Sequence, residues 1–218
     1  TLSEPQLFGQ TGIRQMRGDS TKLPFEMLPS SFELTFNGNK SVLSGELKTP
    51  KGGLTLQGDA DWKTWAQGST RIAAKGVKIR VTMPQADEFD LTTDVHCEAS
   101  AEKISLNGLI DLPWARIRVY DLPASATDVS ADTVRLDRPR SKSIDSSEAI
   151  PIESNLFVNI GDDVRVDAMG LKARMTGKLH VVQNNGKLGL TGQINVPHGQ
   201  FKAYGQDLIV RRGEFMFA

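Results

Sequence analysis

Apolar and polar residues alternate with a period of two along most of the chain, as in Phe32, Leu34, Phe36; Val77, Ile79, Val81, Met83; Phe89, Leu91, Val95, Cys97; Leu156, Val158, Ile160; and Phe215, Phe217. Successive side chains of a strand point to opposite faces, so this spacing predicts strands with one apolar side. Helical periodicity is nearly absent. Turn signals interrupt the alternation in TPKGG (49–53), QNNGK (183–187) and the GDD of 161–163, where glycine, asparagine and proline suit a chain reversal. The expected fold class is all-β. The stretch DRPRSKSIDSSEAIPI, residues 137–152, is rich in charge, serine and proline, and is expected to be a flexible polar loop or linker. It divides a longer part, 1–136, from a shorter one, 153–218. Within the first, residues 1–31 are ambiguous, with weak strand character from Leu7 to Met16.

A weak repeat runs through these strands. SVLSGELKT (41–49), LTLQGDADW (54–62), ISLNGLIDL (104–112), ARMTGKLHV (173–181) and LGLTGQINV (188–196) each carry glycine at the fifth position. Gly45, Gly58, Gly108, Gly177 and Gly192 therefore fall on the more apolar side of their strands. They share it with Leu43, Leu47, Leu54, Leu56, Ile104, Leu106, Ile110, Leu112, Met175, Leu179, Leu188, Leu190, Ile194 and Val196. A four-residue loop at 50–53 would set Gly45 opposite Gly58. A turn over 183–186 would set Gly177 opposite Gly192, whereas a two-residue Asn185-Gly186 turn would make them diagonal neighbours.

Glycine inside a strand has two readings. One is a bulge, a bend or a close approach by another sheet. The other is a trough across the apolar face, whose glycine floor lets the sheet fold over itself and whose aliphatic walls stay open to an apolar guest. Aromatics are few (Phe 9, Trp 3, Tyr 2), so the face is mainly Leu, Ile, Val and Met. That chemistry suits acyl chains better than stacked sugars or bases.

Composition narrows the function classes. With 218 residues and 39% hydrophobic content the chain can bury an apolar interior, yet no apolar run approaches the roughly 20 residues of a spanning helix. Thr1 is read as internal to a longer protein, whose targeting and anchoring segments lie elsewhere. Lysine plus arginine balances aspartate plus glutamate at 26 each, and no basic cluster is interleaved with aromatics, so a nucleic-acid partner has no electrostatic support. The single cysteine, Cys97, cannot form an internal disulfide. His96 and Cys97 are adjacent and point to opposite faces of a strand, so they make no nucleophile–base pair. His180 and His198 lack metal-ligand spacing, and Asp162-Asp163 reads as a solvated turn rather than a calcium site. Arg17-Gly18-Asp19-Ser20 and Asn39-Lys40-Ser41 spell a cell-adhesion word and a glycosylation sequon, both short enough to arise by chance. No catalytic constellation, metal site or cofactor is expected.

The C-terminal part carries a more specific pattern. VNIGDDVRVDAMGLKARMTGKLHVV followed by GLTGQINVPHGQFKAYGQDLIVRRGEFMF, with KISLNGLIDLPWARIRVYDLP upstream, resembles the TamB C-terminal-domain family. The matching positions include Gly161-Asp162-Asp163-Val164, Gly170-Leu171, Gly177, Gly192, Gly199, Ala203-Tyr204-Gly205-Gln206 and Arg212-Gly213. The resemblance implies a strongly curved sheet, a β-taco or open gutter with an apolar concave groove. It implies a periplasmic segment of an inner-membrane-anchored protein that reaches toward TamA, an outer-membrane barrel. Bridge-like movement of phospholipid between membranes and assembly of autotransporters and other outer-membrane proteins are the roles it suggests, with no catalytic residues to carry over.

The first functional expectation is thus passive carriage of phospholipid acyl chains in the groove. The alternative is a chaperone or scaffold that pairs its edge with nascent outer-membrane strands. A transmembrane barrel would also alternate, but aromatic girdles are not evident and Lys178 and His180 lie opposite the apolar side. A closed β-sandwich, whose apolar face is simply core, is the structural alternative.

Overall fold

The computed structural model describes residues 4–18, 24–64, 67–83, 87–119, 150–184, 186–203 and 205–218. These form one open sheet of twelve strands. The strands are β1 (Leu7–Gly18), β2 (Met27–Gly38), β3 (Lys40–Lys48), β4 (Gly53–Thr64), β5 (Gln67–Thr82) and β6 (Glu88–Ser100), then β7 (Ile104–Val119), β8 (Ile152–Ala168), β9 (Leu171–Asn184), β10 (Lys187–Ala203), β11 (Gln206–Val210) and β12 (Gly213–Phe217). From β1 to β11 neighbours in sequence are paired in space, β12 pairs with β10, and every pairing is antiparallel except β7 with β8, which run parallel. That exception falls where the chain between Val119 and Ile152 must return to the starting end of β7. Residues 137–149 of the expected linker lie outside the described residues. Its last residue, Ile152, instead opens β8 and pairs with Ile104, because it continues the alternation of that strand.

β11 and β12 lie end to end along one edge of β10 in a single register, Val210 opposite Gly199 and Gly213 opposite Val196. The break falls at Arg211-Arg212, facing Pro197, whose ring nitrogen has no hydrogen to donate to a ladder.

Several strands gain extra residues at a common level of the sheet. Register shifts occur between Leu28 and Ser31 of β2, Gly76 and Ile79 of β5, Asp111 and Trp114 of β7, Ile160 and Val164 of β8, and Asn195 and His198 of β10. Pro29, Pro113 and Pro197 sit inside three of these intervals, and Lys78 takes φ 50° in a fourth. A bulge bends its strand and sharpens the local twist, so aligned bulges crease the sheet along a line crossing the strands. Below that line the end of β5 reaches the segment entering β2, and Thr82 N donates to Pro24 O at 2.6 Å past the tip of the β3–β4 hairpin. The GDD of 161–163, expected as a turn, is therefore a bulge within continuous β8: its extra residues are absorbed by the crease rather than by a reversal.

Among the described residues the buried hydrophobic ones, Met27, Leu47, Ile79, Val81, Ala115, Val164, Ala173 and Val196, all lie near or below the crease. Register places them on one side of the sheet, the side that carries Leu54, Leu91 and Val166. The sheet therefore curls toward its apolar face.

The two glycine-bearing hairpins settle their registers differently. Gly45 does not face Gly58: the loop is Thr49–Gly52, one residue earlier than expected, which places Gly45 opposite Leu56 and Leu43 opposite Gly58. The Thr49 amide and hydroxyl both donate to Gly52 O, at 2.8 and 2.9 Å, and this closes the turn early. At the second hairpin Lys187 faces Asn184, so the connection is the two-residue one. Gly177 then faces Ile194 and Gly192 faces Leu179, the diagonal arrangement.

Candidate functional site: a half-open apolar face

Reading the registers across the sheet gives continuous apolar rows. One runs from Phe32 through Gly45, Leu56, Ala74, Val95, Gly108, Leu156 and Val181 to Leu190, one residue from each of β2 to β10. At roughly 4.8 Å per strand this row is about 40 Å long. A neighbouring row passes from Leu34 through Leu43, Gly58, Ile72 and Cys97 to Leu106. On the crease side, Leu47, Leu54, Gly76, Thr93, Ile110, Val158, Leu179, Gly192 and Phe217 form a third.

Exposure separates these rows from a finished core. Leu43, Leu54, Leu56, Ile104, Leu106, Ile110, Leu112, Met175, Leu179, Leu190 and Ile194 are all half-buried, Leu47 and Val196 are buried at the crease, and Leu188 is 71% exposed at the far rim. Pairs of strands in substantial contact are sheet neighbours. Among the described residues no second layer covers the upper part of the apolar face. The opposite face carries ion pairs such as Arg71 to Asp59 at 2.9 Å and Lys75 to Asp94 at 3.1 Å, with exposed Val42, Leu109 and Phe157 among them. His96 points to that face while Cys97 shares the apolar one with Ile72 and Leu106.

The glycines do not form a continuous trough. Gly45 is buried under Phe32, and a Cβ there would stand 2.4 Å from the ring; the aromatic ring fills the space the missing side chain leaves. At Gly108 and Gly192 the neighbouring backbone comes close instead. A Cβ on either would meet a carbonyl oxygen of the adjacent strand, Asp94 O at 2.2 Å or Lys178 O at 2.3 Å, and Gly192 has φ +124°, a conformation that L side chains rarely adopt. Gly58 and Gly177 likewise sit against the backbone of Arg71 and Gln193. Of the five, Gly177 adjoins the crease; Gly108 and Gly192 lie further up the wall. The bend therefore coincides with the bulges and prolines, and the glycines alternate with large residues so that no row is bulky throughout.

Several residues of the rows lay outside the glycine repeat: Phe32, Ile72, Val95, Cys97, Leu156 and Val158. Their signal was plain alternation, without a glycine to mark them. The crease had its own signal in Pro29, Pro113 and Pro197, since proline inside an alternating run marks a bulge or an edge.

On the polar side the crease is braced around Trp114. The Arg80 guanidinium lies 3.9 Å and that of Arg116 4.6 Å from its ring centroid, with the Lys51 ammonium at 5.7 Å, distances at which a cation is attracted to the ring face. Arg80 also pairs with Asp90, and Arg116 binds both carboxylate oxygens of Asp163 at 2.9 and 3.0 Å. The Arg80 hydrogen bond, and then the charges of Arg80 and Lys51, hold the Asp90 carboxyl below its usual range. Arg116 does the same for Asp163, assisted by Arg165. Among the described residues no group of three or more His, Cys, Asp or Glu is placed to hold a metal ion.

One sheet, creased along one line, with an apolar face left half open above it, defines an open β-gutter. Comparison with known proteins narrows this. A family profile described as the TamB C-terminal domain matches residues 45–218, and the chain belongs to that family. Along its whole length it is 34% identical to the translocation and assembly module subunit TamB of Haemophilus influenzae, of which it spans 17%.

Proposed function

We propose that the apolar face carries phospholipid acyl chains across the strands while their headgroups stay in water, as a periplasmic segment of a longer bridge between inner and outer membrane. The observation that carries this reading is the row from Phe32 to Leu190, apolar or glycine at every strand and without a second layer over it among the described residues. Burying a methylene is worth about 0.8 kcal/mol, so a chain of about sixteen carbons gains on the order of 10 kcal/mol over water. Because successive strands present similar aliphatic groups, a step of roughly 4.8 Å along the row changes little of that gain.

The test is extraction of phospholipid from vesicles by the purified chain, read by mass spectrometry. The native protein should retain lipid. Ile110→Arg or Leu190→Glu should retain at least tenfold less while keeping its strand content, and Gln57→Arg on the polar face should behave as the native protein. Equal retention by all four proteins would overturn the reading.

A second reading has its own support: β1 is an edge of the described sheet with Phe8 72% and Ile13 56% exposed, and the relative's name includes assembly. In that reading an outer-membrane strand pairs along β1, and TamA is the partner barrel. Crosslinks from Phe8 to a client strand, in protein without lipid, would favour it.

A further inference from the structure

Cations on the polar face normally stand opposite carboxylates across a strand pair: Lys40 faces Asp61, Arg71 faces Asp59, Lys75 faces Asp94 and Arg80 faces Asp90. Below the crease, in β7 to β10, one row breaks that rule. Arg116, Arg165, Arg174 and His198 stand directly opposite one another, one per strand. The three arginine charges at this spacing, with Cβ atoms roughly 5 Å apart, are mutually destabilising. One carboxylate relieves part of the row: Asp163 takes Arg116 at 2.9 Å and Arg165 at 3.3 Å. Among the described residues Arg174 has no ion-pair partner. The row lines a cavity of about 670 Å³ with Lys172 and Asp167, themselves paired at 3.5 Å.

We propose that this cavity binds a phosphate group, held between the guanidinium groups of Arg165 and Arg174 with His198 at its side. A carboxylate is planar and offers only two oxygens, and those of Asp163 are already taken by Arg116 and Arg165. A phosphate presents oxygens in several directions and can accept from guanidinium groups on two adjacent strands at once. A local arrangement that costs stability without a ligand is what a binding site leaves behind. The cavity lies on the face opposite the apolar rows, so the proposal stands or falls independently of lipid carriage. The phosphate can come from a lipid headgroup at a membrane surface or from solution, and the two sources are separable.

The test uses the full chain in two arms. In the first, inorganic phosphate is titrated against chloride at matched ionic strength and binding is read by calorimetry. In the second, phosphatidylcholine vesicles carry either phosphatidic acid or an equal charge of fatty acid. Arg174→Gln should weaken phosphate binding about tenfold or more. It should unfold at no lower temperature than the native protein in chloride, since it removes a repulsion. Arg174→Lys, which keeps the charge but loses the planar fork, should fall between the two and serves if the glutamine variant does not fold. Binding to inorganic phosphate as well as to phosphatidic acid supports a general phosphate site; binding only to phosphatidic acid vesicles assigns the site to a headgroup. Equal response to phosphate and chloride together with equal response to the two vesicles overturns the proposal, as does an Arg174→Gln protein that binds phosphate like the native one.

Discussion

The crease and the wall above it are made of the same strands and nearly the same residues, yet they solve opposite problems. In β8, Val164 at the crease is 4% exposed, while Val158, two turns of the pleat earlier on the same face, stays half-buried. The difference lies in the backbone. Bulges fold the strands at the crease so that their inner side chains meet, whereas straight ladders on the wall present an identical apolar alternation with nothing opposite. A sheet can thus be held together along one line and leave the rest of its apolar surface for something else.

That contrast can be broken by one substitution made twice. Val164→Asp places a carboxylate among Ala115, Met175 and Val166 with no partner, and should cost about 4 kcal/mol or more in denaturant unfolding. Val158→Asp should cost about 1 kcal/mol, because its side chain is already partly open to solvent. Equal losses would mean that the wall is as closed as the crease.

A smaller effect sharpens the same comparison through glycine. Gly192→Ala forces a side chain into φ +124° against Lys178 O, and should destabilise by about 1 to 3 kcal/mol. Gly189→Ala in the same strand meets only Val182 O, at 3.6 Å, and should be neutral to within about 0.5 kcal/mol. If the two variants unfold alike, the close approach of β9 to β10 is not what keeps glycine at 192.

How much of this could be read from residues alone depends on which physical signal each feature leaves. Alternation marked the strands and the apolar side, because burial on one face imposes a period of two. The sense of the first hairpin's register did not survive: a loop moved by a single residue, closed by the Thr49 hydroxyl, changes which residues face each other, and TPKGG fits either placement. The crease was attributed to glycine although the prolines mark it. Glycine permits both a trough and a pinch between strands, and only the neighbouring carbonyl oxygens at Gly108 and Gly192 tell them apart. The row of Arg116, Arg165, Arg174 and His198 left no local trace at all, since its members are far apart in the chain and become neighbours only through three strand registers.

The mildest test reaches the outer side of the crease. Asp90 and Asp163, on either side of Trp114, both have carboxyl groups held below their usual range, chiefly by hydrogen bonds from Arg80 and Arg116. A carboxyl whose folded pKa is lowered stabilises the fold at pH values above its unfolded pKa, about 3.9 for aspartate. That contribution is lost as the pH falls through the lower folded pKa. Acidification below about pH 4 should therefore loosen the Trp114 brace, seen as the difference in emission between the native protein and Trp114→Phe, before strand content falls. Neutral to alkaline pH should leave that difference unchanged. Lys103, just ahead of β7, and Glu153 of β8, paired at 2.8 Å at the far end of the wall, offer the contrast: Lys103 is exposed and Glu153 partly so, and Lys103→Ala should leave the unfolding curve unmoved within error at physiological salt. If acid released the wall before the Trp114 emission changed, the ion pairs flanking that ring would have no special part in holding the fold line.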